Sequence, residues 1–310
     1  MPFKQLIREG LSQVRPACLL LCAFWLVAWP VEPIFAQKKI AQEQTSTEEK
    51  IILPDTAKWT SVKRDEEVVA YLSSLELTKP RPVKLVVLRV RLDRAFELVI
   101  TPDNGEQKLE TNGLKTSTFL AKHHVDFAIN AAPFHPVSLF ENQPHDIRGL
   151  QISDGNLVSK PDPSTPVLLF AESHQPTIEG KPPAELGKIK HAVAGFHVVL
   201  KSGKPMGNKQ PLHPRTAVGI SKAKNEMIWL VVDGRQKGKS EGVSTMELGH
   251  MLKQLGCESG INLDGGGTST LVQRGKDGKP AVLNTPIHAG VPGLERSSAS
   301  HLGIRFSKSK

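Results

Sequence analysis

The chain is short of aromatic residues and of cysteine, and both shortages narrow what it can be. Aromatics make up 5% of the 310 residues, and Tyr71 is the single tyrosine. The core must therefore rest on Val, Leu and Ile, and nothing supplies the aromatic ladder of a nucleic-acid surface. The basic residues are scattered rather than gathered on one helix, so nucleic acid is not the expected partner. Of three cysteines, Cys18 and Cys22 lie near the N-terminus, which leaves Cys257 by itself downstream. That excludes an internal disulfide there, and Cys257 reads as a small buried hydrophobe after a helix rather than as a nucleophile. The histidines, among them His123, His124, His191, His197, His213, His250, His288 and His301, show no tight metal-ligand spacing. No nucleotide-binding glycine pattern, Ser-His-Asp order or Cys-His pair is present.

What the chain does have begins with a leader. Lys4, Arg8 and Arg15 precede an uninterrupted apolar run from Ala17 to Trp29, then Pro30, Pro33 and a small residue, Ala36. The run is short for a membrane span and is read as a secretory signal over 1–36, which predicts export to the periplasm, envelope or exterior. An uncleaved N-terminal anchor is the alternative reading, and membrane contact is expected only through it. Leu21 before Cys22 does not fit a lipoprotein signal. Loss of 1–36 removes three basic and two acidic groups and lowers the formal charge from +9 to +8. So basic a protein suits anionic polymers or an acidic substrate.

Residues 37–58 are polar, and 37–82 is taken as a linker and N-terminal segment preceding one domain over 83–306. Within it, short strands and tight turns dominate. Hairpins are predicted around Asp93-Arg94, Ser153-Asp154-Gly155, Lys222–Glu226 and Lys276–Lys279, with a last strand over Leu302–Phe306. Helices are predicted near Thr116–His124 and from Ser244, where Ser244 and Glu247 form a capping box and Gly256 stops the helix. The expected fold class is α+β: a mixed, largely antiparallel sheet with a few helices in a single domain.

The chemistry concentrates at strand ends. Ile261–Leu263 leads into Asp264-Gly265-Gly266-Gly267-Thr268-Ser269-Thr270. Three glycines in a row suit either a flexible turn or a bare backbone whose N–H groups meet a ligand oxygen. Leu230-Val231-Val232 ends in Asp233-Gly234-Arg235, where the arginine either pairs with a phosphate or is a solvated turn residue. Pro214-Arg215-Thr216 opens another strand, and Phe127-Ala128-Ile129 delivers Asn130. Glu247 is explained by its cap as well as by catalysis, and Glu295-Arg296 by a salt bridge as well as by a site.

Together and in this order these segments resemble the phosphodiester glycosidase family. The matching features are Asn130, Arg215-Thr216 with Gly219, Asp233-Gly234-Arg235, Gly242–Glu247, the Asn262–Thr270 run, Asn284-x-Pro286 and Glu295-Arg296. The resemblance covers roughly 83–306 and implies a hydrolase that cleaves sugar-1-phosphodiester bonds. A phosphodiester leaves readily, so stabilising its charge matters more than protonating it. Arg215 and the amides of Gly265, Gly266 and Gly267 are therefore assigned to the phosphate. Asp264 and Asp233 are the candidate catalytic carboxylates, and Asn130 and Thr268 are assigned to sugar hydroxyls. Thr216, Arg235, Ser269 and Glu295 complete the substrate set. No cofactor is required, and a divalent cation on Asp264 and Asp233 is left open. The expected partner is a glycosyl phosphodiester or anionic glycopolymer of an envelope or exopolysaccharide. Two other readings keep these residues: a glycosidase of ordinary glycosides, and a non-catalytic protein that binds anionic glycopolymer.

Overall fold

The computed structural model describes residues 50–105, 107–171 and 175–307. The leader and residues 37–49 lie outside them. The described strands in chain order include β1 (Thr60–Arg64), β2 (Glu67–Leu77), β3 (Val83–Arg91), β4 (Phe96–Ile100), β5 (Phe127–Asn130), β6 (Gln151–Ser153) and β7 (Asn156–Ser159). They continue with β8 (Val167–Ala171), β9 (Pro176–Glu179), β10 (Ile189–Ala194), β11 (His197–Lys201), β12 (Lys204–Pro205), β13 (Arg215–Ser221) and β14 (Glu226–Val232). The last are β15 (Ser259–Asn262), β16 (Leu271–Arg274), β17 (Pro280–Val282) and β18 (His301–Phe306). Among the described residues there are two α-helices, α1 (Thr116–His123) and α2 (Thr245–Gln254).

Antiparallel sheet dominates. The largest sheet runs β1-β2-β3-β14-β13-β15-β11-β12, and two five-stranded sheets run β17-β16-β5-β18-β4 and β7-β6-β10-β8-β9. Residues in β14 explain why both faces of the large sheet are covered. Met227, Trp229 and Val231 pack with Phe127, Ile129, Leu302 and Ile304 of the second sheet. Their neighbours Ile228, Leu230 and Val232 turn the other way, against Leu248, Met251 and Leu252 of α2. A strand buried on both faces reads as a continuous apolar run, and burying each such side chain contributes roughly 1.5–3 kcal/mol. α1 covers the far side of the second sheet through Phe119 and Leu120, against Ala128 and Val272.

Three predicted hairpins form: β6 with β7, β13 with β14, and β16 with β17. The one predicted around Asp93-Arg94 does not. β3 has both edges occupied, by β2 and β14, and β4 crosses to the second sheet to pair with β18. Turn chemistry marks where a chain bends, and it carries no information on which strand edge is free. Residues before 83 also contribute to the fold. β1 and β2 extend the large sheet, and Ile51 and Leu53 are buried in the α2 core. Gln254 holds that entry, accepting from Leu53 N at 2.9 Å and donating to Ile51 O at 3.1 Å.

The capping box at α2 is present in full, with Glu247 Oε2 accepting from Ser244 N at 2.8 Å and Ser244 Oγ accepting from Glu247 N at 3.2 Å. Arg81 adds an ion pair to the same carboxylate at 2.6 Å, so Glu247 belongs to the helix end. Cys257 is buried, and burial pushes its thiol up to about 12, which keeps it an inert thiol.

Candidate active site

Antiparallel register brings the singled-out segments to one end of the large sheet. Arg215 at the start of β13 lies opposite Val232 at the end of β14, and Ala217 lies opposite Asn262 at the end of β15. Asp233, Arg215 and Asp264 therefore emerge side by side from neighbouring strands. A hydrogen bond from Asp264 N to Ala131 O, 2.8 Å, ties this end to β5 of the second sheet.

The layer beneath is closed. Asn130 is fully buried, and its amide donates to Asp264 O at 2.7 Å and to Thr268 Oγ1 at 3.2 Å. Its carbonyl oxygen accepts from Thr216 Oγ1 at 2.7 Å and Thr270 N at 3.3 Å. Thr268 Oγ1 in turn donates to Asp264 Oδ2 at 2.7 Å. Asn130 and Thr268, expected to bind sugar hydroxyls, and Thr216 of the substrate set form a network around Asp264 in which every side-chain hydrogen-bonding group of the buried Asn130 is engaged. Asp233 is engaged as well. Its Oδ1 accepts from Asn284 Nδ2 at 2.8 Å and from Thr285 N at 3.0 Å, and its Oδ2 is also 3.0 Å from Thr285 N. It clamps a loop, although burial raises its carboxyl to about 6.

Arg215, assigned to the phosphate, is turned to structure too. Its Nε donates to Val243 O at 3.2 Å and its Nη2 to Pro211 O at 3.1 Å. The glycine amides do not converge as a set either. Gly266 N donates to Pro214 O at 3.0 Å, and Gly266–Thr268 closes into a 3₁₀ turn. Glu295, counted with the substrate set, caps α1. Its carboxylate accepts from Ser117 N at 3.1 Å and Ser117 Oγ at 2.6 Å, at a helix start where Lys115 supplies no side-chain cap. It makes no salt bridge with Arg296.

The upper layer is nearer the surface, where Arg235 is exposed and Arg296 half-buried. Asp264 is 8% exposed. Burial pushes its carboxyl up, against the Arg296 charge and hydrogen bonds from Thr268 and the Gly265 amide. Arg296 Nη2 reaches Asp264 Oδ2 at 3.5 Å and donates to Gly265 O at 3.2 Å. A β-carbon on Gly267 would lie 3.3 Å from Arg296 Nε, and one on Gly266 would lie 3.1 Å from both terminal nitrogens of Arg235. The two guanidinium groups thus lie over consecutive glycines, and Gly266 also has φ +68. The turn needs glycine for both reasons, to clear the arginines and to adopt that backbone. Phe134 flanks the pair, with its ring centroid 6.0 Å from the Arg296 guanidinium carbon.

Arg235 repels Arg296 and is attracted by Asp264, so two cations share one carboxylate and the opening carries excess positive charge. His213 and His288 stand at its margin, their pKa values lowered by burial and then by neighbouring arginines. Arg296 Nε, Ser269 Oγ and Thr270 Oγ1 are buried and have no hydrogen-bond partner among the described residues. Buried polar atoms are normally paired, so these three keep hydrogen-bonding capacity that the fold does not use, as do other buried polar atoms elsewhere among the described residues. Among the described residues no group of three or more His, Cys, Asp or Glu side chains could hold a metal ion. Of the sequence-derived set, Asp264, Arg235 and Ser269 border the opening. Arg296 is singled out in the sequence only together with Glu295, as a salt bridge or a site, and is left out of the substrate set, because its partner Asp264 is distant in sequence and the adjacent Glu295 offers a nearer one.

Residues 123–305 match the phosphodiester glycosidase family, a span that includes each of these residues. The fold is similar to a hypothetical protein from Synechocystis, with a TM-score of 0.58 and 12% identity over 82% of this chain and 64% of that one. This chain therefore spans less than two thirds of that relative. It is also similar to the zebrafish N-acetylglucosamine-1-phosphodiester alpha-N-acetylglucosaminidase catalytic domain auto-inhibited by its pro-peptide. There the TM-score is 0.56 and the identity 18%, over 81% of this chain and 89% of that one. At such identities the likeness concerns the fold. No curated protein matches the chain significantly.

Proposed function

The chain belongs to the phosphodiester glycosidase family, and from this premise we propose that it is an exported hydrolase of glycosyl phosphodiesters. The observation that carries the reading is the placement of Asp264 beside Arg296 and Arg235 at the mouth of the glycine turn. A phosphodiester brings one negative charge, which the surplus cation of this trio complements. As the bond between the anomeric carbon and the phosphate oxygen breaks, the electron pair leaves on that oxygen. Fixed guanidinium groups stabilise the charge without reorganising. Water adds to the anomeric carbon and yields the free sugar and a phosphate monoester. Asp264 takes the proton of that water and releases it to phosphate or solvent, a task helped by a carboxyl pKa raised towards the working pH. Ser269 Oγ and Thr270 Oγ1 are the remaining donors for the bound unit, while Asn130, Thr216, Thr268 and Asp233 act by positioning.

Export rests on the basic and apolar leader over 1–36 and suits an envelope or exopolysaccharide substrate. Among the described residues no helix is long and apolar enough to cross a membrane.

The test is sugar release by the full chain from an α-linked N-acetylglucosamine-1-phosphodiester and from a neutral aryl glycoside of the same sugar. Asp264→Asn should lower kcat about a thousandfold or more with an unchanged melting temperature. Arg235→Ala should lower kcat/KM on the phosphodiester far more than on the neutral glycoside. Turnover retained in Asp264→Asn overturns the assignment. Equal turnover of both substrates, unaffected by Arg235→Ala, favours an ordinary glycosidase, and salt-sensitive binding without turnover favours a polymer-binding protein.

A further inference from the structure

The sheet end that presents Asp264 does not stop at β15. β11 is the next strand over, with His197 opposite Asn262, and Phe196 N donates to Asn262 O at 2.9 Å. Phe196 therefore stands about one strand spacing, ~4.8 Å, from the strand that delivers Asp264. Phe196 is 43% exposed, in a chain with only eleven phenylalanines.

A hollow opens on each side of this ring. One, of about 550 Å³, is walled by Pro133 and Arg148. The other, of about 460 Å³, is walled by Met206 and Asn208. Ser164 and Phe196 line both, so the two hollows adjoin at the phenyl ring, and together they are called the trench. Each half has the volume of a small-ligand site. The first half adjoins the candidate active site through the segment 131–135. Ala131, whose carbonyl accepts from Asp264 N, is two residues before Pro133, and Phe134 between Pro133 and the hollow's His135 flanks Arg296. Arg148 is exposed, and its guanidinium makes no hydrogen bond or ion pair among the described residues. Asp162, the carboxylate in the same half, is already engaged by Ser164 N and Ser164 Oγ at 2.8 and 2.7 Å.

We propose that this trench binds the units next to the cleaved bond in a polymeric substrate, a glycan with repeating sugar-phosphate units. A glycosyl unit whose anomeric carbon lies at Asp264 leaves both hollows for its neighbours along the chain. An exposed phenyl ring at the middle offers an apolar face to the C–H face of a sugar. Arg148 meets the phosphate of the adjoining unit. The inference rests on the glycosyl-phosphodiester reading and adds to it the class of substrate and the residues that select it.

The test compares kcat/KM of the full chain for a single sugar-1-phosphodiester and for an oligomer of two to four such units. Wild type should prefer the oligomer by about tenfold or more, a difference of ~1.4 kcal/mol. Phe196→Ala and Arg148→Ala should each reduce that preference several-fold, chiefly through KM. Both side chains are exposed, so folding should survive, and a melting curve checks it. Equal kcat/KM for the two substrates in wild type, or a preference untouched by both variants, overturns the trench. If wild type turns over neither, the hydrolase reading fails and the trench is judged by calorimetry with Asp264→Asn and the oligomer. Binding that Phe196→Ala and Arg148→Ala weaken then upholds it, and absence of binding overturns it.

Discussion

β5 and β18 lie side by side with Asn130 opposite His301, yet the buried polar clusters at these two residues differ in one respect. Around His301 the hydrogen bonding is complete. Its Nε2 lies 3.1 Å from Leu114 O, which can only accept, so Nε2 carries the proton and Nδ1 accepts from Thr101 Oγ1 at 3.0 Å. Thr101 Oγ1 accepts His301 N at 2.9 Å, Gln151 Nε2 donates to Thr101 O at 2.8 Å, and Ser300 Oγ donates to Gln151 Oε1 at 2.6 Å. The imidazole stacks on Phe119 at 4.6 Å, and burial drives its pKa down to about 3. Beyond Asn130, by contrast, Arg296 Nε, Ser269 Oγ and Thr270 Oγ1 lack partners among the described residues, and the Arg296–Asp264 contact is a loose 3.5 Å. A polar cluster that completes itself holds the fold together, whereas one that leaves donors over has hydrogen-bonding capacity to spare for a ligand.

The comparison can be broken most forcefully at His301. Replacing it by alanine removes a stacked, buried ring and one hydrogen bond at each of Leu114 O and Thr101 Oγ1, which should cost about 3–5 kcal/mol of stability. Activity per folded molecule should be nearly unchanged. Denaturant unfolding together with activity normalised to folded protein checks this, and a stable but inactive variant would contradict the division of roles. Arg296→Ala should show the opposite pattern, with kcat/KM on a phosphodiester down about a hundredfold or more and the unfolding midpoint close to that of wild type.

The pH dependence of stability sharpens the contrast. His301 titrates at about 3 when folded and at about 6.5 when unfolded. The unfolded state alone holds its proton in between, so its contribution to stability is complete above about 6.5 and is lost as pH falls. Asp233 titrates at about 6 when folded and near 4 when unfolded. Its contribution is complete below about 4 and is lost as pH rises. Across about pH 4–6 the two slopes oppose, each approaching ~1.4 kcal/mol per pH unit. His301→Ala should tilt the stability profile towards falling with rising pH relative to wild type, and Asp233→Asn should tilt it the other way. Profiles parallel to wild type would show that neither group titrates as described. The smallest effect is expected at Glu295, where Glu295→Ala removes the cap of α1 and should cost about 1 kcal/mol, with sugar release little changed.

Local chemistry by itself determined much of this protein. The Ser244–Glu247 cap, the stop at Gly256, three of four hairpins and the last strand depend on residues close in sequence, so period and turn composition sufficed to place them. The strand-end acids and the glycine run could be picked out as sites of interest for the same reason. The sequence could not say which of those residues point outward. Asn130, Thr216, Thr268, Asp233 and Arg215 have the residue types of a sugar-phosphate site. Their hydrogen bonds nevertheless go to partners many residues away, or to carbonyls of their own loops. Arg296 was legible only as a pair with Glu295, because what places it over Gly267 is the path of a loop that returns to the sheet end. The hairpin that failed at Asp93-Arg94 has the same origin. Spacing fixes what neighbours in the chain can do, whereas the choice of a buried partner is made by packing, where each donor and acceptor can be used once.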